Sequence, residues 1–305
     1  MRIHIGVCSD PIEYRYTHEW LFDLLRELGV GFVQFGSVPE MYLLEDGFFL
    51  DIRRQAERRN VQLRSCFASR RETGGFFAGN PYLEKAARVS YERLIAIGSL
   101  LGADSVGGTP GSVYRDRMHF KAEGIACYLR HMKELMVLAR EKGLKALAME
   151  TMSCLAEPPT LPEEIDQVLG QLDEHHRRNP GATVPVRICA DIAHGYADRE
   201  GRVVHDNWSL FEKAIPYMGE MHIKNTDERF EAAFGFSPEE RARGIVDLRR
   251  LKELIARNEH RFPVQDFYGY LEIGGPKLGR DYSDWRLQED IAQSISAIRE
   301  VFGAN

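Results

Sequence analysis

The feature that most constrains the fold of this chain is a regular alternation of short apolar runs with longer helical patterns. Each of eight apolar runs of strand length is followed by a segment whose apolar residues recur three or four positions apart. The eight runs are 3–8, 31–35, 61–68, 103–108, 145–150, 186–191, 219–223 and 268–273. Strands that alternate with helices predict a parallel sheet, because a helix returns the chain to the start of the next strand.

Eight such units in one uninterrupted chain predict an α/β fold of the (β/α)8 TIM barrel type, with residues 1–305 as a single domain. A doubly wound open sheet is the alternative. That fold normally carries a glycine-rich fingerprint after an early strand, and this sequence has none. We therefore favour the barrel. Within it, Thr160 and Glu163 have the spacing of a capping box and predict the start of a helix that runs to His175.

Composition and charge disfavour several classes of protein. The 40 basic and 46 acidic residues give a net charge of −6, which offers no electrostatic footprint for nucleic acid. No run of about 18 apolar residues occurs, so we expect no membrane span, and the first residues lack the apolar segment of a signal peptide. The five cysteines form no C-x-x-C pair, which argues against a disulfide framework or a structural zinc site. These features predict a cytoplasmic protein.

Side chains that bind metals stand at the ends of the last four predicted strands: Glu150, Asp191, His222 and Glu272. The carboxyl ends of barrel strands meet at one mouth, where active sites lie. Three carboxylates placed there without a cation would repel one another. Three oxygen ligands with one imidazole nitrogen suit Mn²⁺, Mg²⁺ or Co²⁺. Zn²⁺ is an alternative, although it would more usually show thiolates or more imidazoles. The sequence therefore predicts one divalent metal ion as cofactor.

The segments AMET, ADIAHG, MHIKNTD and YLEIGG, which contain these four residues, resemble the xylose isomerase-like barrel enzymes, also called AP endonuclease family 2. The likeness is greatest to the ketose 3-epimerase branch, and the tetrulose-phosphate racemases are one subgroup that the chain resembles. The resemblance implies that Glu150, Asp191, His222 and Glu272 bind one metal ion. It also implies that Glu150 and Glu272 form the acid/base pair and that His194 contacts substrate oxygens.

The chain departs from this family pattern at two strand ends. Many relatives carry a histidine after the third strand, where this chain has Cys66 or Ser69, and another after the fourth strand, where it has GGTPG. The missing histidines argue against a site with several metal ions. They also argue against the phosphodiesterases that resemble endonuclease IV and use three zinc ions.

The predicted site suits proton abstraction next to a ketose carbonyl. A metal ion chelated by the carbonyl and the adjacent hydroxyl acidifies the C–H bond by stabilising a cis-enediolate. One glutamate would remove the proton and the other would deliver one from the opposite face. Return to the same carbon gives epimerisation at C3, which we expect from the resemblance. Return to the neighbouring carbon gives an aldose–ketose isomerase, and loss of water gives a keto-sugar or inosose dehydratase. Both stay open, whereas a non-catalytic binding barrel is disfavoured because all four residues are present.

The segment after Glu272 is a candidate phosphate cradle. IGGPKLGR offers glycine N–H groups together with Lys277 and Arg280, and the loop after the eighth strand often binds phosphate in these barrels. An ordinary Gly-Pro turn with solvated charges is an alternative of equal weight. Arg115 and Arg117, after the fourth strand, are weaker candidates for the same role. The expected partner is therefore a small-molecule ketose or ketose phosphate.

Three more side chains near strand ends are candidates for contacting substrate. Glu157 lies where relatives often use a glutamate for this purpose, and Lys224 and Arg229 could bind hydroxyls or phosphate. The alternative is that Glu157 is an ordinary loop residue and that Lys224 only pairs with nearby acids. The oligomeric state is open between a monomer and a homo-oligomer, a dimer or tetramer, because barrels of this size often pair through helices and loops.

Overall fold

The structure is a computed structural model that describes residues 1–36, 38, 40–69, 72–274 and 286–303. All eight predicted strands form, and they close into one barrel in which each strand is parallel to both neighbours. The barrel strands are β1 (Arg2–Cys8), β2 (Phe32–Gly36), β3 (Gln62–Ala68), β4 (Ser105–Gly108), β5 (Ala146–Glu150), β6 (Val186–Asp191), β9 (Met218–Ile223) and β10 (Asp266–Leu271). Two short antiparallel strands outside the barrel, which form a ribbon after β6, are β7 (Tyr196–Ala197) and β8 (Val203–His205).

The barrel is closed by pairing of the first strand with the last, so the fold prediction is confirmed. The helices surround it, and all of them except the short helix Pro238–Arg243 pack buried apolar residues on the outer side chains of the strands. These helices are α1 (His18–Glu27), α2 (Asp46–Glu57), α3 (Pro81–Leu101), α4 (Lys121–Glu141), α5 (Pro162–Arg178), α6 (Asn207–Ala214), α7 (Pro238–Arg243), α8 (Leu248–Arg257) and α9 (Leu287–Phe302). None of the helices in the described ranges is long and apolar enough to cross a membrane.

Local sequence signals explain where α3 begins and ends. The Asn80 side chain caps the helix, its Oδ1 accepting the backbone N–H of Tyr82 at 2.9 Å, and Pro81 occupies the first position. Gly102 ends the helix with a left-handed φ of 73°, which glycine adopts without steric cost.

The start of α5 differs from the predicted capping box by one residue. Glu164, not Glu163, closes the cap, since its Oε2 accepts the backbone N–H groups of Thr160 at 2.9 Å and Leu161 at 3.3 Å. The Thr160 hydroxyl is not available for the helix because it donates to the carbonyl of Cys154 at 2.6 Å in the preceding loop. Pro162 therefore becomes the first helical residue.

The strand register places the four side chains that the sequence predicts as metal ligands side by side. Asp191 on β6 is paired directly with His222 on β9. Glu150 is the last residue of β5, and Glu272 follows Leu271, the last residue of β10. All four therefore lie at the same end of the barrel, the carboxyl end of the strands.

Candidate metal centre

The four strand-end residues form one compact cluster. Glu150, Asp191, His222 and Glu272 each offer one ligand atom, and these atoms all lie within 4.8 Å of one another. The first three are buried, whereas the side chain of Glu272 is 23% exposed and lies nearest to solvent. The structure thus brings together all four residues that the sequence singled out.

His222 lies between two of the carboxylates. Its Nδ1 is 3.2 Å from Oε1 of Glu150 and 3.2 Å from Oε2 of Glu272, while its Nε2 is 2.7 Å from Oε1 of Gln34. Burial acts to lower the pKa of His222, but the neighbouring Cys189 and Glu272 outweigh it and raise that pKa well above its usual value. The surroundings of Nδ1 therefore favour a positive charge there, whether a proton or a metal ion.

Lys224 belongs to the same cluster, where the sequence had suggested a substrate contact. Its Nζ forms ion pairs with Oδ2 of Asp191 and, at 3.0 Å, with Oε2 of Glu272. Although burial opposes charge, the nearby charges of His194 and Lys224 lower the pKa of Asp191 to about 2. The same carboxylates raise the pKa of Lys224 well above its usual value, against the effect of its burial.

The donor set fits a divalent cation. Three carboxylates and one ammonium carry a net charge of −2 when the imidazole is neutral, and a divalent ion brings that sum to zero. Buried charges are stable only when they are paired or bound to a metal. Oxygen ligands with a single imidazole nitrogen are typical of Mn²⁺, Mg²⁺ or Co²⁺ sites.

His194 borders the open side of this cluster. Its Nδ1–H donates to the carbonyl of Thr151 at 2.8 Å, which fixes the orientation of the ring, and its Nε2 lies 3.2 Å from Oδ2 of Asp191. The side chain of His194 is 15% exposed. It can therefore reach both the cluster and a molecule bound above it.

A groove of about 950 Å³ lies among the loops that follow these strands. Arg115 and Arg229 line it together with residues of the β7–β8 ribbon. Phe230, with a φ of 62°, also lines it and packs on Gly195, where a Cβ would lie 2.3 Å from the ring. A side chain at position 195 would displace this ring, so Gly195 shapes one wall of the groove.

The remaining predicted substrate residues are less well placed. Glu157 lies partly buried in the loop between β5 and α5, where its backbone N–H donates a hydrogen bond to the carbonyl oxygen of Cys154 at 2.8 Å. It does not belong to the cluster of four or line the groove. Lys277 and Arg280 lie outside the described residues.

Two polar residues near the cluster were missed by sequence reasoning. Asp10 lies just after β1. Its carboxylate accepts a hydrogen bond from the hydroxyl of Ser69 and packs against Gly36. Burial, together with the charge of Glu272, raises the pKa of Asp10 to about 6. Gln34 stands within the apolar run of β2. The signals were an aspartate two residues after a strand and a polar residue inside a strand.

A second group of possible metal ligands lies on the outside of the barrel, between α3 and α4. Glu84, Cys127 and His131 are close together there. Oε1 of Glu84 already accepts hydrogen bonds from the guanidinium of Arg130 and from Nε2 of His131, both at 2.8 Å. The guanidinium of Arg88 lies 3.4 Å from Nδ1 of His131. Two arginines therefore supply the positive charge, and we assign this group as an ion-pair cluster.

The fold of this chain is shared with several known proteins. A search of curated protein sequences finds no match. Among solved structures, the chain is similar to a Rhodospirillum rubrum protein provisionally assigned as a xylose isomerase, with a TM-score of 0.77 and 19% identity over 98% of this chain and 99% of that one. It is similar to D-psicose 3-epimerase from Clostridium cellulolyticum H10, with a TM-score of 0.71 and 14% identity over 98% and 99% of the two chains. It is also similar to a 3-keto-D-glucoside 4-epimerase from E. coli, with a TM-score of 0.65 and 11% identity over 98% and 100%.

At these identities the three likenesses are likenesses of fold. The family evidence is separate, because it comes from a sequence model of the family that matches residues 22–263, well over half of the chain. This protein therefore belongs to the xylose isomerase-like TIM barrel family.

Proposed function

We propose that this protein is a divalent-metal-dependent epimerase that inverts C3 of a ketose or ketose phosphate. The observation that carries the proposal is the cluster of four ligand atoms within 4.8 Å at the carboxyl end of the barrel. Membership of the xylose isomerase-like family supports the same chemistry, and one structural neighbour is named as a ketose 3-epimerase.

The proposed ligands are Glu150, Asp191, His222 and Glu272, for an ion such as Mn²⁺, Mg²⁺ or Co²⁺. When bound, the ion would supply positive charge next to the substrate carbonyl and so stabilise the negative charge that develops on its oxygen. Lys224, which pairs with two of these carboxylates, would keep the site neutral overall with the ion in place.

The proposed acid/base pair is Glu150 and Glu272. They come from β5 and β10, which are separated by β6 and β9 in the barrel, and each lies 3.2 Å from the same nitrogen of His222. A ketose held between them presents one face of C3 to each carboxylate. One glutamate takes the C3 proton, the electron pair moves towards the carbonyl oxygen, and the other glutamate delivers a proton to the opposite face.

The proposed role of His194 is to hold substrate oxygens. Its ring is fixed by the bond to Thr151, and its partial exposure leaves one edge open to the bound sugar. Arg115 and Arg229 would hold a phosphate or another anionic end of the sugar in the groove. Three carboxylates also line this groove, those of Asp198, Glu200 and Glu231. Within the described residues, the first two form ion pairs with Arg199 and Arg202 rather than with Arg115 or Arg229.

We also propose a cytoplasmic location and assembly into a homo-oligomer. All five cysteines are free, which supports a reducing, cytoplasmic location. A homo-oligomer, dimer or tetramer, stays a prediction that sedimentation or mass photometry can test.

The proposed reaction can be tested by hydrogen exchange. The protein is purified without chelator, its metal content is measured, and it is incubated with D- and L-ketoses and their phosphates in D₂O while NMR follows each C–H signal. We expect deuterium at C3 together with the C3 epimer. Exchange at C1 or C2 with an aldose product would make the protein an isomerase, and loss of water would make it a dehydratase. If the protein bound no metal even after addition of Mn²⁺, the proposed centre would be wrong.

A further inference from the structure

A glutamine inside the barrel connects the candidate metal centre to a buried carboxylate below it. Gln34 on β2 is only 1% exposed, and its amide lies between two side chains of β9, His222 and Glu220. Its Oε1 is 2.7 Å from Nε2 of His222, and its Nε2 is 3.4 Å from Oε1 of Glu220. Residues 220 and 222 point to the same side of the strand because side chains alternate along it.

The orientation of this amide follows from its neighbours. Around its nitrogen lie three acceptors, the carboxylate of Glu220, the hydroxyl of Ser65 at 3.4 Å and the sulfur of Cys189 at 3.9 Å. Ser65 itself donates to Glu220 at 3.0 Å and so holds that carboxylate in place. Around the amide oxygen lies a donor, the thiol of Cys8 at 3.3 Å. Burial raises the pKa of Glu220 to about 7, and its ionised carboxylate only accepts hydrogen bonds. A flipped amide would place its carbonyl against that carboxylate and its N–H groups against the Cys8 thiol donor, so the hydrogen-bond network selects the orientation described.

The amide in turn selects the protonation site of the imidazole. An amide oxygen can only accept, so the nitrogen of His222 that faces Gln34 must carry the hydrogen and donate it. A neutral imidazole has a single N–H, which leaves the lone pair on Nδ1. That is the nitrogen 3.2 Å from the carboxylates of Glu150 and Glu272.

We propose that Gln34, oriented by Glu220, is a positioning residue that keeps His222 in the Nε2–H form and so presents the Nδ1 lone pair to the metal ion. The inference rests on the proposed function, because it requires the ion. Histidine ligands commonly donate their second N–H to a carboxylate or a carbonyl, and this partner sets the tautomer and the ring orientation. Here the side-chain amide of Gln34 accepts that second N–H, and the buried Glu220 orients the amide.

The test uses an acceptor deletion and an exchange of the two side chains. Gln34→Met removes the acceptor at similar volume. The double variant Gln34→Glu with Glu220→Gln restores it, since Glu at position 34 accepts from both His222 and the new amide while the number of buried carboxyl groups is unchanged. Val33→Ala, a truncation of the neighbouring buried residue, is the matched control for general destabilisation. Thermal unfolding identifies any variant that fails to fold.

Two readouts are made on each protein. Mn²⁺ affinity is measured by calorimetry, without substrate. The ring N–H of His222 is followed by ¹⁵N–¹H correlation in histidine-labelled, Zn²⁺-loaded protein, where a hydrogen-bonded Nε2–H gives a protected signal. We expect Gln34→Met to weaken Mn²⁺ binding by about 10- to 100-fold and to lose the protected signal. The double variant should recover both, and Val33→Ala should change neither.

Unchanged affinity and an unchanged signal in Gln34→Met would overturn the inference, and so would a double variant that folds but does not recover. If the wild-type protein itself binds no Mn²⁺, the proposed function fails, and the inference fails with it. That result is distinguishable because it appears before any substitution is made.

Discussion

Nζ of Lys224 lies 3.0 Å from Oε2 of Glu272, so a lysine side chain pairs with one of the four residues proposed to bind the metal ion. The same ammonium contacts Asp191, whose side chain is fully buried. Lys224 and a divalent ion would therefore compensate the same carboxylates. The lysine stabilises the centre before metal binds, and its charge opposes the incoming cation.

Replacement of Lys224 by methionine should therefore separate stability from metal affinity. Removing one partner of a buried ion pair costs about 3–5 kcal/mol, and we expect a loss of that size in urea unfolding with chelator present. Saturating Mn²⁺ should recover most of it, because the ion takes over the charge compensation. Lys213→Met is the control, since its pair with Asp166 is exposed and worth about 1 kcal/mol or less. Equal losses in both variants, or no recovery with Mn²⁺, would contradict this account.

The two glutamates should act on opposite faces of the sugar, which predicts different exchange patterns. Glu150→Gln and Glu272→Gln should each lower formation of the C3 epimer by about 10²- to 10⁴-fold. Each variant should still exchange the C3 hydrogen of one epimer with D₂O, because the remaining carboxylate can remove that proton and return it. The surviving epimer should differ between the two variants.

This comparison is made by NMR on both epimers, with bound Mn²⁺ measured in parallel because both residues are proposed ligands. A single-base enzyme would behave differently. One variant would then lose exchange of both epimers, and the other would keep both.

The proposed role of Arg115 and Arg229 predicts a preference for an anionic sugar. A hydrogen bond to a charged group is worth about 1.5–3 kcal/mol, so Arg115→Gln and Arg229→Gln should each raise KM for a ketose phosphate by about 10- to 100-fold. KM for the corresponding free ketose should change little. Arg117→Gln is the matched control, since Arg117 is exposed nearby but does not line the groove. Equal effects on both substrates would mean that the two arginines do not hold a phosphate.

The fold could be predicted because the chain repeats one pattern eight times, and a repeated pattern tolerates errors at single boundaries. The cluster could be predicted because strand ends of a barrel converge, so Glu150 and Asp191 needed no tertiary information beyond the fold. The role of Gln34 could not be predicted in the same way. Its partner His222 is 188 positions away in sequence, and only the closed barrel brings the two together.

Other differences came from local competition between hydrogen bonds. The Thr160 hydroxyl had the right spacing for a helix cap, but a loop carbonyl binds it instead. For Lys224 the sequence left open a substrate contact or a pair with nearby acids, and the structure shows ion pairs with Asp191 and Glu272. The two-residue repeat of a strand places Lys224 on the same side as His222. That spacing was visible in the sequence and favours a place within the cluster.

His18 gives a stability prediction that is independent of the metal centre. It is the first residue of α1, and its ring stacks on Phe35 with 5.2 Å between centroids. Burial of this side chain lowers the pKa of His18 to about 4. In the unfolded chain a histidine has a pKa near 6.5, so between these values the unfolded state binds the proton and the folded state does not. The contribution of neutral His18 to the free energy of unfolding is therefore fully present above about pH 6.5, and it is lost as the pH falls towards 4.

We expect protonation linked to His18 to lower the free energy of unfolding by about 1–2 kcal/mol when the pH falls from 7.5 to 5, after allowance for the partial exposure of this side chain. His18→Phe keeps a ring against Phe35 and removes the titration. It should match the wild type within about 1 kcal/mol at pH 7.5 and should be the more stable protein at pH 5. Urea unfolding at both pH values checks this, with the exposed His260→Gln as control, which should follow the wild type. If His18→Phe lost as much stability as the wild type on acidification, another group would be responsible for the loss.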